Sequence, residues 1–450
     1  MSQPLLIRGG RVIDPAQQFD SVADVLIVNG RVAGVKRGLA APDGAQVIDA
    51  KGLIVTPGFI DLHCHLREPG QEEKETIATG TQAAARGGFT TVCCMPNTSP
   101  AIDTSSTVEY VLTQTRTGGS VRVLPIGAVT KGRGGKELTE MQELVDAGVV
   151  GFSDDGSPVT DAKIMRSALS YGRMLGVPVI DHCEDPKLAG GVMHEGHIAT
   201  RLGLRGIPPA AEDVMVARDI ALAELTGGHV HIAHLSTTGA VELVRRAKEK
   251  GLPVTAEATP HHLTLTDDLV ALGAGERAGA GGRWPYDTNT KVNPPLRSFE
   301  HAAAVVKGIV DGVIDAIATD HAPHTAVDKL CEYDCAAFGI SGLETALGVA
   351  LVLVHDGRLP LPALVERLTS GPARVLGSKA GGAGTLREGA LGDVAIFDPG
   401  FQWTVDVNAF ASKGKNSPLN GATLTGKVVA TIYGGAIVYT DGERVKRNGR

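Results

Sequence analysis

The sequence predicts an α/β protein: a (β/α)8 barrel of the TIM type carrying a small β-sandwich satellite domain built from both termini. Three observations carry that prediction. Between Phe59 and His321, eight short apolar runs alternate with amphipathic stretches of about 12 to 18 residues, the pattern of parallel strands joined by crossover helices. The first fifty or so residues, and those beyond Gly377, instead hold β-rich runs separated by Gly, Asn and Pro turns. Finally, histidines and aspartates stand at the C-terminal ends of the apolar runs, where a barrel of this type places its chemistry.

Taken in order, residues 1–54 supply LLIRGGRVID, ADVLIVNGRVAGV and AQVIDA, the N-terminal part of the satellite. Residues 55–377 form the barrel. Its strands are expected at 59–65, 90–97, 121–129, 148–155, 178–184, 229–236, 253–262 and 315–321. Helical patterns such as KETIATGTQAAARGG, DAKIMRSALSYGRMLG and AEDVMVARDIALAELTGG lie between them, several closed by a glycine suited to a helix C-terminus. A last helix is expected over 343–357. Residues 378–450, with LGDVAIFD and LTGKVVATIYGGAIVYTDG, return to the satellite. The Gly/Ala-rich segment 273–283 reads as part of a lid or as an ordinary solvated loop.

Composition narrows the class of function. Hydrophobic residues at 43% and charged residues at 21% are ordinary for a globular chain. A net charge of −7 without a dense basic stripe argues against nucleic acid and for small molecules. No apolar run reaches the ~20 residues of a membrane span, and Met1 to Gly10 lacks a secretory signal, so no membrane association and a cytoplasmic location are expected. The six cysteines are too sparse for a disulfide framework, and Cys331 and Cys335 read as loose surface thiols.

The chemistry centres on His63-Cys64-His65. In a strand, residues i and i+2 share a face, so both imidazoles can converge on one ion. Asp155, His182, His234 and Asp320 end the fourth, fifth, sixth and eighth strands. Four imidazoles and two carboxylates suit a pair of divalent ions of the zinc type, and a shared carboxylate leaves room for a bridging hydroxide. Each residue alone has an ordinary explanation. His182 or His234 would serve as a core histidine bonded to a carbonyl, and Asp154 or Asp155 as a helix cap. Their coincidence at one end of the barrel favours the site. Of the other histidines, His194, His197, His301 and His355 read as packing or surface residues, and His229 and His231 lie at the far end of their strand. His261 and His262 sit at the mouth, and His321 is expected to support Asp320.

Longer motifs then tie the chain to a family. They are HCHLREPG (63–70), GGFTT (87–91), MPNT (95–98), NPPLR (293–297) and ATDHAPH (318–324). On these motifs the chain resembles the long-chain bacterial dihydroorotases of the amidohydrolase superfamily, from the first strand to the eighth and in the flanking β segments. The resemblance implies two Zn2+ per subunit, one on His63 and His65 and the other on His182 and His234, with Asp155 bridging and Asp320 as metal ligand and proton carrier. It implies substrate contacts from His65, Arg67, Asn97, Asn293, His324 and the backbone of Phe338 and Gly339. Many relatives bridge their metals with a carbamylated lysine on the fourth strand. GVVGFSDDG has none, so the bridge falls to Asp155, chosen over Asp154 by alignment with the family. The implied activity is reversible hydrolysis of the cyclic amide of (S)-dihydroorotate to N-carbamoyl-L-aspartate, in de novo pyrimidine (UMP) biosynthesis. A homodimer is implied too. The alternatives are a hydantoinase, dihydropyrimidinase or allantoinase, which share the barrel and chemistry, and a non-catalytic partner of aspartate transcarbamoylase, which would have lost ligands that this chain keeps.

Overall fold

Parallel pairing runs through the eight expected segments in chain order in the computed structural model, which describes residues 3–272 and 285–442 and the backbone of 447–448. Segment 273–283, the candidate lid, lies outside the described residues. Phe59–Cys64, Phe89–Cys94 and Arg122–Pro125 form a three-stranded sheet. Val179–Asp181, Val230–Ile232, Val254–Ala258 and Ala316–Ile317 form a four-stranded one. Phe152 bridges Gly127 on one side and Val179 on the other, while Cys64 bridges His321. The pairing is therefore cyclic, which is the barrel.

Every expected strand is shorter than the apolar run that announces it; the seventh stops at Ala258, with Pro260–Thr264 helical behind the Thr259 cap, and the fourth and eighth are shortest, for local reasons. In the fourth, ladder pairing is limited to Phe152, because polar side chains beyond it take backbone donors: Asp155 N donates to Ser153 Oγ at 3.0 Å and Thr130 N to Asp154 Oδ1 at 3.1 Å. The eighth is regular only at Ala316–Ile317, and Asp320, with φ of 45°, turns the chain out of the extended region. The closing seam is pinned by side chains. Asp61 accepts from Thr319 N at 2.8 Å and Thr319 Oγ1 at 2.6 Å, and His65 N donates to His321 O at 2.8 Å. The seam thus sets the first strand's two histidines beside Asp320.

The helices begin and end where local chemistry says they should. Thr76 caps Ile77–Arg86 in a reciprocal box with Thr79, and Asp161 caps Ala162–Leu175. Gly148, Gly176 and Gly227 each end a helix in the left-handed region. Their apolar faces join the strands in one large core that includes Phe89, Val111, Leu169 and Val244. A separate cluster takes Ile60, Met95, Ile126, Val150, Ile180, Ala233 and Ala318, one from nearly every barrel segment, into a common interior. No helix among the described residues is long and apolar enough to cross a membrane.

The termini build one nine-stranded sheet. Leu5–Asp14 pairs Phe19–Val28 along one edge, and Gln46–Asp49 and then Ile54–Pro57 along the other. Ile54–Pro57 in turn pairs Val394–Thr404. Ile7, Val25, Ile48, Ile396 and Val429 share its core, so strands from both ends of the chain are buried together. Gly58 alone separates this sheet from the strand carrying His63. A Cβ on Gly58 would lie 2.1 Å from Thr90 Oγ1, so the two layers meet there only through a glycine.

Candidate active site

Every residue singled out at the strand ends is buried, and all come together at one mouth. His63 Nε2 lies 3.3 Å from Asp155 Oδ1 and 3.6 Å from Asp320 Oδ1. His65 Nε2 is 3.2 Å from Asp320 Oδ1 and 3.6 Å from Asp155 Oδ2. His182 Nδ1 sits 2.8 Å from His234 Nε2, and those two nitrogens are 3.8 and 3.6 Å from Asp155 Oδ1. Asp155 is thus the hub between the two histidine pairs. Asp154 instead turns away from the histidines, accepting from the backbone N and the hydroxyl of Thr130.

The donor set fits divalent metal. His63 Nε2 and Asp155 Oδ1 are buried with no hydrogen-bond partner, a costly condition unless another species satisfies them. His63, Asp155 and His234, and likewise His63, His65 and Asp320, offer ligand atoms within 4.8 Å of one another. The far nitrogens are oriented as metal-bound imidazoles require. His63 Nδ1 donates to Glu257 Oε1 at 2.8 Å and His65 Nδ1 to Asn97 Oδ1 at 2.8 Å, which leaves both Nε2 lone pairs facing the carboxylates. His234 and Asp320 hold φ of 32° and 45°, and Arg67 61°. Three non-glycine residues in the left-handed region, at roughly 1 kcal/mol or more each, mark strain concentrated at the site.

Electrostatics separates the groups. Burial pushes Asp155 and Asp320 up, but His63 and its neighbouring imidazoles outweigh it and hold both below the usual carboxylate range. Burial lowers His63 and His182, and the carboxylates around them more than reverse this, with His182 raised to about 9. The mouth therefore attracts positive charge, whether protons or metal.

A cavity of about 190 Å³ opens beside this cluster, lined by His65, Arg67, Asn97, Asp155, His182, His234, Asn293, Asp320, His324, Phe338 and Gly339. Every expected metal or substrate residue lines it except His63, which lies beneath. Arg67 Nε donates to Pro323 O at 3.2 Å. Its Nη2 has His324 Nε2 at 3.4 Å, but that nitrogen already donates to Phe338 O at 2.8 Å. Glu68, the nearest acid in sequence, is engaged elsewhere, accepting from Ile77 N and Tyr110 OH. Among the described residues, no carboxylate pairs with Arg67, and burial lowers it to about 10. Asn293 donates through Nδ2 to Glu184 at 3.0 Å, while its Oδ1 is buried without a partner. Gly339 must be glycine: its φ is 146°, and a Cβ would lie 2.7 Å from Ala322 O.

The site also rests on residues the sequence reading passed over. Glu257 spans His63 and His231, the latter at 3.2 Å, so His231 belongs to the support beneath the imidazole–aspartate cluster rather than to a distant barrel end. A lone acid inside the apolar strand VTAEATP was the available signal. His321 spends its ring nitrogens elsewhere than on Asp320: it faces Glu75 at 3.3 Å and accepts from Gly342 N. His262 bonds Thr259 and the Pro294 carbonyl, next to Asn293, and His261 is buried with its Nε2 unpartnered. All six cysteines are free.

Comparison with known proteins decides the family. A family model described as Dihydro-orotase-like matches residues 52–240. The dihydroorotase of Anaeromyxobacter dehalogenans (strain 2CP-C) is 55% identical over 98% of this chain and 99% of its own length. The chain belongs to the dihydroorotase family. Another relative, the dihydroorotase of Geobacter sp. (strain M21), is 51% identical over 97% of this chain and all of its own. Among solved structures, the L-hydantoinase of Arthrobacter aurescens superposes with a TM-score of 0.85 at 26% identity, covering 98% of this chain and 96% of that one. The dihydropyrimidinase of Brevibacillus agri NCHU1002 gives 0.82 at 24%, covering 98% and 95%, and shares the fold. Dihydroorotase-family membership therefore extends across both barrel and terminal sheet.

Proposed function

We propose that the chain hydrolyses the cyclic amide of (S)-dihydroorotate, reversibly, to N-carbamoyl-L-aspartate. The observation that carries this reading is Arg67, a buried guanidinium with no carboxylate partner among the described residues, lining the same cavity as the imidazole–aspartate cluster. A buried cation left unpaired is expensive, and a substrate carboxylate gripped through two charge-assisted hydrogen bonds would complete it.

In this reading His63, His65, Asp155, His182, His234 and Asp320 hold two zinc ions per subunit. When bound, such ions ionise water near neutral pH and polarise a carbonyl. Arg67 and Asn97 hold the ring carboxylate. Asn293 Oδ1 accepts from a ring N–H, and the Phe338–Gly339 backbone supports the ring edge. Asp320, ionised, takes the proton of the attacking water as its oxygen bonds to the ring carbonyl carbon. It returns that proton to the nitrogen as the C–N bond breaks. A homodimer in the cytoplasm belongs to the same reading.

Turnover of dihydroorotate against dihydrouracil, hydantoin and allantoin by one zinc-loaded sample is the test. A rate on dihydroorotate at least tenfold above the others is expected. A preference for any uncharged ring would move the chain to the hydantoinase-type reading, and no turnover with fewer than one metal per chain would leave a non-catalytic partner.

A further inference from the structure

Two backbone segments deliver Asn293, Phe338 and Gly339 to the cavity, and both are tied to one buried side chain. Lys329 ends the short helix Ala326–Lys329, which is fixed at its start by a reciprocal Thr325–Asp328 capping box. Lys329 is 5% exposed. It donates to Ala337 O at 2.6 Å, Thr288 O at 3.1 Å and Lys291 O at 3.2 Å, so its three donors meet three carbonyls. The Lys291 carbonyl also accepts from Gly339 N at 2.9 Å. Lys291 sends its own ammonium to Asp334 O at 3.0 Å and over the Phe338 ring at 4.5 Å. Among the described residues, no carboxylate pairs with Lys329. Burial, with Lys291 adding to it, pulls it down to about 7. A charge buried against neutral carbonyls alone is costly to keep, and apolar packing would fill the same space without that cost.

We propose that Lys329 is a positioning residue for substrate recognition. Its ammonium staples segment 288–291 to segment 337–339, and so sets the spacing between the Asn293 amide and the Phe338–Gly339 backbone across which the ring would lie. This rests on the proposed function, because it assigns Lys329 to the same cavity. It acts on binding of the ring and leaves the metal ligands alone.

The test uses the zinc-loaded full chain with Lys329→Ala and Lys329→Met. The alanine variant opens a cage of three carbonyls that a small cation can enter, whereas methionine fills it without donors. KM for dihydroorotate should rise at least tenfold in both variants, with metal content unchanged. Added ammonium or methylammonium at up to about 0.2 M should recover most of the loss in the alanine variant, and none in the methionine variant or the wild type. A methionine variant with wild-type KM would overturn the inference, because packing would then suffice. An unrescued alanine variant, or failure of both variants to fold, would overturn it as well by leaving Lys329 a stability residue. A wild type without turnover would instead sink the proposed function, so the two failures are distinguishable.

Discussion

Glu257 Oε1 lies 2.8 Å from His63 Nδ1, joining residues 194 apart in the chain across the barrel interior. Burial pushes the Glu257 carboxyl up, but His231 and His63 bring it down to about 2, so it is an anion at any working pH. It therefore fixes the His63 tautomer and raises the basicity of Nε2, the nitrogen left facing Asp155 without a hydrogen bond.

Glu257→Gln should weaken metal retention by about 10- to 100-fold, the usual effect of losing a carboxylate behind a ligating imidazole. Competition against a chelator measures it. Unchanged affinity would reduce Glu257 to a packing residue.

Asp320→Asn should keep the fold and most of the metal, since an amide oxygen still coordinates. Turnover should fall by about 10²- to 10⁴-fold, because the amide has no lone pair basic enough to accept a proton from water. Near-normal turnover at full metal content would assign the proton transfer to another group.

The clustering of these six residues was legible because period-two alternation and strand-end position are both local: His63 and His65 share a face, and Asp155, His182, His234 and Asp320 each close an apolar run. The fold class was legible for the same reason, as strand and helix periodicities need only about a dozen residues to show. What was not legible depends on long-range pairing. The family motif marks Asn97 as a substrate contact, yet its Oδ1 also orients His65 from just beyond the neighbouring strand. Glu257, Glu184 and Asp61 carry no periodic signal, and their roles exist only once strands distant in sequence become neighbours. Asp61 and Glu257 could have been flagged as lone acids within apolar strands, which must find partners when buried. The shortness of the fourth and eighth strands follows from side chains and a left-handed turn, neither of which apolar patterning records.

Glu344 gives a pH prediction far from this site. It lies between the barrel helices and the terminal sheet, and burial raises it to about 7, only partly offset by Ser412 N and Arg86. A carboxyl raised from 4.5 binds more protons in the folded state, so its stability contribution is full below the unfolded value and is lost as pH rises to about 7. Glu344→Gln removes that loss. The variant should match the wild type at pH 5 and exceed it at pH 8, by on the order of 2 kcal/mol after allowance for relaxation around the charge. Thermal unfolding at the two pH values reads this directly. A variant less stable at pH 8 would mean that the Arg86 pair outweighs burial.

Specificity turns on Arg67. The Arg67 backbone sits at φ 61°, its Nε is spent on Pro323 O, its Nη2 lies 3.4 Å from His324 Nε2, and no carboxylate among the described residues pairs with it where it lines the cavity. Asp320, Asp155, Asp328 and Glu75 offset the cost of burying that charge only in part, and an arriving anion would offset more, so the residue should matter in proportion to the negative charge on the substrate. Arg67→Met keeps the stem's apolar packing and deletes the grip. It should lower kcat/KM for dihydroorotate by ~100-fold or more, equivalent to ~3 kcal/mol. Hydrolysis of dihydrouracil, an uncharged ring of the same size, should change less than tenfold. The two substrates measured on one preparation cancel differences in metal loading and folding. Equal losses on both would show that Arg67 shapes the cavity as a whole. A loss confined to dihydroorotate would locate carboxylate recognition at Arg67 and separate this site from those built for neutral rings.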